Sequence, residues 1–189
     1  YLCGMKKKTI WDMGRPTVEE FKAADKMPVA VVLDNVRSLN NIGAIFRTCD
    51  AFAVREVVLC GISATPPSAE IHKTALGAEN SVAWRYFADT AEAVDALKAE
   101  GYKLVCLEQV QGSVSLEAFR PESDSMYALV LGNEVDGVAQ TVVDRADICL
   151  EIPQSGTKHS LNVSVSAGVA LWKFYERLSL LPHSTFPEK

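Results

Sequence analysis

The chain is 189 residues long, the size of one domain, and its balance of 48% hydrophobic to 23% charged residues excludes a disordered or fibrous protein. A formal net charge of −5 excludes a protein that is basic throughout, although a local basic patch can still meet nucleic acid. No apolar run approaches the roughly 20 residues of a membrane span, and Lys6, Lys7 and Lys8 run into mixed sequence where a signal peptide would turn apolar, so the expected address is cytoplasmic, with no membrane partner.

Residues 1–28 read as an arm with one short helix near Thr17 to Ala24, residues 29–180 as a single domain, and residues 181–189 as a tail. Short β-branched runs then recur at Val29 to Asp34, Arg55 to Cys60, Ala83 to Phe87, Tyr102 to Glu108, Tyr127 to Gly132 and Asp147 to Ile152. Buried parallel strands have this pattern. Amphipathic stretches separate them, such as the one that Thr90 can cap and Gly101 can end. The alternation predicts an α/β fold with a parallel six-stranded sheet flanked by helices.

In such a sheet ligands bind at the carboxyl ends of the strands, so the residues just after each run carry the functional reading. After the first strand, Asn40 or Asn41 can cap a helix that buries Ile42, Ile45 and Phe46, with Gly43 for close packing. Arg47 lies about a turn and a half beyond Asn41 and is not needed for that packing. After the fifth strand, Gly132 suits close backbone approach to a ligand, Glu134 sits in the turn, and Gly137 precedes a helix from Val138. After the sixth, Gly156 permits a turn and Ser160 or Asn162 can cap the helix that carries Val163 to Tyr175. One helix start needs one cap, and the surplus of polar residues points to a site.

The five cysteines, Cys3, Cys49, Cys60, Cys106 and Cys149, are an odd number, and four lie in apolar patterns, as reduced structural thiols do. His72, His159 and His183 are far apart and no CxxC pair exists, so no metal is expected.

Taken together and in order, "NNIGAIFRTCDAF", "LVLGNEVDGV" and "IPQSGTKHSLNVSVSAGVAL", with "KTALGAE" as a weaker fourth match, resemble the SpoU/TrmH branch of the SPOUT methyltransferases, over about Val29 to Tyr175. Topology rules alone would lead to an open Rossmann-like sheet. The resemblance implies instead a C-terminal trefoil knot, a homodimer that completes the active site, S-adenosyl-L-methionine as cofactor, and methylation of a ribose 2′-hydroxyl in tRNA or rRNA without a metal. Carried over residue by residue, it implies cofactor contacts at Leu107, Gly132, Ile152 and Leu161 and a catalytic set of Asn41, Arg47, Glu134, Ser160 and Asn162.

In that reading Asn41 and Asn162 orient by hydrogen bonding, Ser160 fixes the loop, and Glu134 orients Arg47. A guanidinium is almost never neutral near pH 7, so Arg47 is expected to grip phosphate and stabilise charge on the ribose oxygen. Arg37, Arg47, Lys158 and His159 form the expected RNA-binding patch, which Lys6 to Lys8 and Arg15 could extend. Ala53 stands where many relatives have glycine. A catalytically silent RNA-binding protein of the same fold is the alternative. A Rossmann-type oxidoreductase loses its main support, because no GxGxxG follows the first strand.

Overall fold

The computed structural model describes residues 5–9, 12 and 14–179; Cys3, His183 and the tail 181–189 lie outside the described residues. Its strands are β1 (Met27–Asp34), β2 (Val54–Cys60), β3 (Ala83–Phe87), β4 (Tyr102–Leu107), β5 (Val114–Ser115), β6 (Met126–Leu131) and β7 (Ile148–Glu151). They form one parallel sheet in the order β3-β2-β1-β6-β4-β7-β5. Interior β1 is buried along almost its whole length, whereas edge strand β3 is largely exposed. This is why the interior strands read as unbroken apolar runs.

The sheet has seven strands, not the expected six. The added strand, β5, is two residues long and pairs with β7 through Val114↔Leu150 and Ser115↔Glu151. Two residues carry no period of their own. Their pairing is set from outside, by the Ser113 hydroxyl donating to Glu151 (2.8 Å), the Leu116 N–H donating to Glu151 O (2.8 Å), and burial of Leu116 and Phe119.

Seven helices flank the sheet among the described residues: α1 (Val18–Ala23), α2 (Leu39–Ala51), α3 (Ala69–Ala75), α4 (Ala78–Ser81), α5 (Thr90–Ala99), α6 (Gln140–Val143) and α7 (Val163–Leu178). On one face, α2, α3, α4 and α7 pack Ile42, Phe46, Ile71, Ala167 and Phe174 over Val29, Val31, Leu33, Val57 and Leu59. On the other, α5 and α6 pack Val94, Leu97 and Val142 over Ala30, Val32 and Val58. α1 has a capping box between Thr17 and Glu20 and buries none of its residues.

Local chemistry corrects several expected boundaries. α5 is capped by Asp89, whose Oδ1 accepts from Ala91 N (2.7 Å) and Glu92 N (3.1 Å). The Thr90 hydroxyl donates instead to Asp34 Oδ1 (2.6 Å). The helix expected from Val138 starts at Gln140, because Val138 is buried and its N–H donates to Glu108 Oε2 (2.9 Å). Ala53 has φ +49°, a left-handed conformation that costs a side chain about 1 kcal/mol or more, so glycine is the better residue there.

Cys49, Cys60 and Cys106 are buried, Cys149 is half-buried, and all four are free. Burial pushes the Cys60 and Cys106 thiols up to about 12, so they stay neutral and pack as apolar groups. Among the described residues no helix is long and apolar enough to cross a membrane, and no group of three His, Cys, Asp or Glu could hold a metal ion.

Candidate active site

β1 lies between β2 and β6, and the chain leaves it first toward β2 and later returns beyond β6 to β4. The loops after β1 and β6 therefore diverge at a switch point, where an open parallel sheet has its crevice. Glu134, in the loop after β6, reaches across this gap. Its Oε2 accepts from Arg37 N (3.2 Å), and its Oε1 accepts from Ser38 N (3.2 Å) and Asn41 Nδ2 (2.9 Å). Burial works to raise the Glu134 pKa, but the bond from Asn41 and those from the backbone N–H groups outweigh it and hold the carboxyl below its ordinary value.

α2 is capped by Ser38, whose Oγ accepts from Asn41 N (3.3 Å), so neither Asn40 nor Asn41 is the cap. This leaves the Asn41 side chain free to bridge. Its Oδ1 accepts from Asn162 Nδ2 (3.1 Å). Asn162 in turn caps α7, with Oδ1 accepting from Ser164 N (3.0 Å) and the Ser164 hydroxyl (2.6 Å). One amide thus caps a helix and closes a chain of contacts from Glu134 through Asn41 to Asn162. Of the two cap candidates before α7, Asn162 is the one spent on this junction.

The junction borders a cavity of about 480 Å³ at the carboxyl ends of β4, β6 and β7. Leu107, Gly132, Ile152 and Leu161 all line it, together with Glu134, Ser160 and Asn162. Gly132 is required for a reason other than the expected ligand approach. A Cβ there would overlap the backbone of Gly137 and Val138, because the loop folds back on itself through the Asn133–Gly137 bridge. Gly137, at φ +70°, is the turn residue expected of it. Gly156 has neither a positive φ nor a close neighbour, so its turn does not require glycine.

Arg47 is not gathered with the others. It is exposed on α2, its side chain makes no hydrogen bond or ion pair with a described residue, and Glu134 spends its oxygens on the Asn41 side and does not orient it. Ser160 lines the cavity but caps nothing. Of the basic residues, Arg37 stands 4.0 Å from Asp136, while Lys158 and His159 are exposed in the loop after β7.

Three further side chains hold the site and were missed in the sequence. Asp34, at the end of β1 and 1% exposed, accepts from Thr90 Oγ1, from Asn35 Nδ2 (2.8 Å) and from Ala139 N (2.8 Å), so it joins three loops. Glu108 accepts from Val138 N, and Gln109 Nε2 donates to His159 O (3.0 Å), tying the loop after β7 to the end of β4. All three stand at strand ends, where the rule that found Asn41 and Glu134 would have found them too.

Residues 28–172 match the family model described as the SpoU rRNA Methylase family. The chain belongs to this family. Among SpoU relatives it is 35% identical over 151 residues to a 23S rRNA (guanosine-2'-O-)-methyltransferase RlmB of Nitrosomonas europaea, covering 79% of this chain and 56% of the relative. The solved structure of an AdoMet-bound rRNA methyltransferase from Sinorhizobium meliloti matches at TM-score 0.76 and 28% identity, over 84% of this chain and 59% of that one. The TrmH/SpoU tRNA modifying enzyme of A. aeolicus matches at TM-score 0.75 and 26% identity, over 85% and 80%. The chain spans little more than half the length of the RlmB relative. The SpoU assignment also covers "KTALGAE", whose Thr74 hydroxyl donates to Asn40 O (2.9 Å) and whose helix packs on Gly43, bracing the first turn of α2.

Proposed function

We propose that this protein transfers a methyl group from S-adenosyl-L-methionine to a ribose 2′-hydroxyl of tRNA or rRNA, as a cytoplasmic homodimer. The observation that carries the reading is the Glu134–Asn41–Asn162 junction at the edge of a ligand-sized cavity. The cavity suits the cofactor in size, since ligand clefts run from about 300 to 1,000 Å³. It suits it in character too: Leu107, Ile152 and Leu161 in its wall would take the flat base, and the backbone at Gly132 would meet the polar groups. When bound, the cofactor supplies a methyl group already activated on a sulfonium.

The protein's work is then alignment and exclusion of water. Glu134, kept ionised, fixes the start of α2, and Asn41 and Asn162 hold the ribose in line. Arg47, exposed and unpaired among the described residues, grips the RNA phosphate and stabilises charge on the 2′-oxygen, with Arg37, Lys158 and His159 extending the contact. The homodimer is supported by Val165, Val169 and Trp172, which are 51%, 41% and 52% exposed at helical spacing on α7, beside the aromatic cluster of Phe52, Trp172 and Tyr175. Buried free thiols fit a reducing compartment.

The test is calorimetry with S-adenosylhomocysteine and single-turnover transfer to total RNA from cells lacking the gene. Arg47→Ala should leave cofactor affinity unchanged and lower transfer about 100-fold or more. Leu161→Asp should weaken cofactor binding first. Cofactor binding without transfer to any RNA would favour the catalytically silent RNA-binding alternative.

A further inference from the structure

The cavity beside the Glu134 junction has an acidic wall. Glu108, Glu134, Asp136 and Glu151 line it, and no lysine, arginine or histidine does. Asp136 has a cation near it, Arg37 at 4.0 Å. The other three are held by neutral donors. Glu108 Oε1 accepts from Gln109 N (2.9 Å) and its Oε2 from Val138 N, Glu151 Oε2 accepts from the Ser113 hydroxyl, and Glu134 takes its bonds from Arg37 N, Ser38 N and Asn41. Such bonds fix a carboxylate in place without cancelling its charge. The amino end of α7 reaches the cavity at Asn162 and Val163, but a helix terminus carries only about half a positive charge. The wall therefore keeps a negative excess, and Glu108 and Glu151 are half-buried, where water screens them less than at an open surface.

A cleft walled by one sign of charge favours a ligand of the other sign. The methyl-transfer reading, on which this inference rests, supplies two ligands of nearly the same shape that differ by one charge. As the ribose oxygen bonds to the methyl carbon, the carbon–sulfur bond breaks with its electron pair left on sulfur, and the hydroxyl proton passes to water. The cationic sulfonium thus becomes a neutral thioether. Glu108 and Glu151 directly adjoin Leu107 and Ile152, two of the residues that would take the cofactor, so their charge bears on whichever ligand is in place.

We propose that the acidic wall ranks these two ligands, holding the cationic methyl donor and releasing the neutral product, so that charge clears the cavity after each transfer. Glu108 and Glu151 are the residues assigned to this task. The charge of Glu134 also fixes the start of α2, and that of Asp136 is partly offset by Arg37.

Calorimetry on the full chain tests this with S-adenosyl-L-methionine, S-adenosylhomocysteine and sinefungin, whose amine puts a positive charge where the methylated sulfur would be. At low salt S-adenosyl-L-methionine and sinefungin should each bind about 10-fold more tightly than S-adenosylhomocysteine, and at about 0.5 M salt the preference should shrink to about 3-fold or less. Glu108→Gln and Glu151→Gln keep an acceptor oxygen and should each narrow the preference about 2- to 3-fold, by weakening the two cationic ligands and leaving S-adenosylhomocysteine unchanged. Arg37→Ala, which strips Asp136 of its cation, should widen it. If a glutamine variant does not fold, the salt series and sinefungin decide on the unsubstituted chain. S-adenosylhomocysteine binding as tightly as the donor, sinefungin following S-adenosylhomocysteine, or a preference that neither salt nor the glutamine variants move would overturn the proposal. Equal binding of all three ligands leaves the methyl-transfer reading standing, whereas binding of none overturns both.

Discussion

Glu134, in the loop after β6, accepts three hydrogen bonds from the loop after β1 and the first turn of α2, and Asp34, at the end of β1, joins the loops after β1 and β6 to the start of α5. By contrast, residues 153–162 after β7 are all exposed, and among the described residues two side-chain amides tie them to the rest of the site, Gln109 to His159 O and Asn162 to Asn41. One half of the site is thus set by the fold, with its polar groups satisfied internally. The other half follows a strand end and is held at two points, so a ligand in the cavity has ordering left to do there. Preorganised geometry belongs to the first half and adaptability to the second.

The largest effect should come from breaking the internally satisfied half. Asp34→Ala leaves the Thr90 hydroxyl and the Ala139 N–H without their partner and should lower the free energy of unfolding by about 3 kcal/mol, read as a lower denaturant midpoint at constant slope. Gln109→Ala addresses the other half. It should weaken S-adenosylhomocysteine about 10-fold while moving the unfolding free energy by less than about 0.5 kcal/mol, and a stability loss as large as that of Asp34→Ala would erase the contrast.

A control far from both loops sets the scale: Ala53→Gly should stabilise by about 0.5–1 kcal/mol and leave ligand affinity alone. The smallest effect is the pH dependence of Glu134. Its folded pKa is depressed, so its contribution is present above the ordinary glutamate value of about 4.3 and is lost as pH falls through the lower folded value. The stability gap between wild type and Glu134→Gln should therefore be wider at pH 6 than at pH 3; a constant gap would mean that the carboxylate's charge is not what holds the junction.

Much of this was legible in the chain because burial and chemistry were local. Six strands appeared as apolar runs, and Asn41, Glu134 and Asn162, separated by up to 121 residues, meet as their places after strands imply. What could not be read was set by partners distant in sequence. β5 is a strand because β7 lies beside it, and Thr90 gave up its capping role because Asp34 offered a buried carboxylate. Arg47, singled out by its spacing from Asn41, is the residue the single chain leaves apart from the junction.

The position of β1 also bears on how the chain comes to be folded at all. β1 pairs with β2 on one side, but its other neighbour, β6, begins about a hundred residues later, with Val31 facing Leu129. A ribosome adding about 5–20 residues per second leaves that side of the strand uncovered for roughly 5–20 s after β1 has emerged. The last contact on Asp34, from Ala139, comes later still. Through that interval a nearly unbroken apolar strand presents an open edge, so nascent chains should depend on holding chaperones, and translation pauses between β3 and β6 should reduce the yield of folded protein.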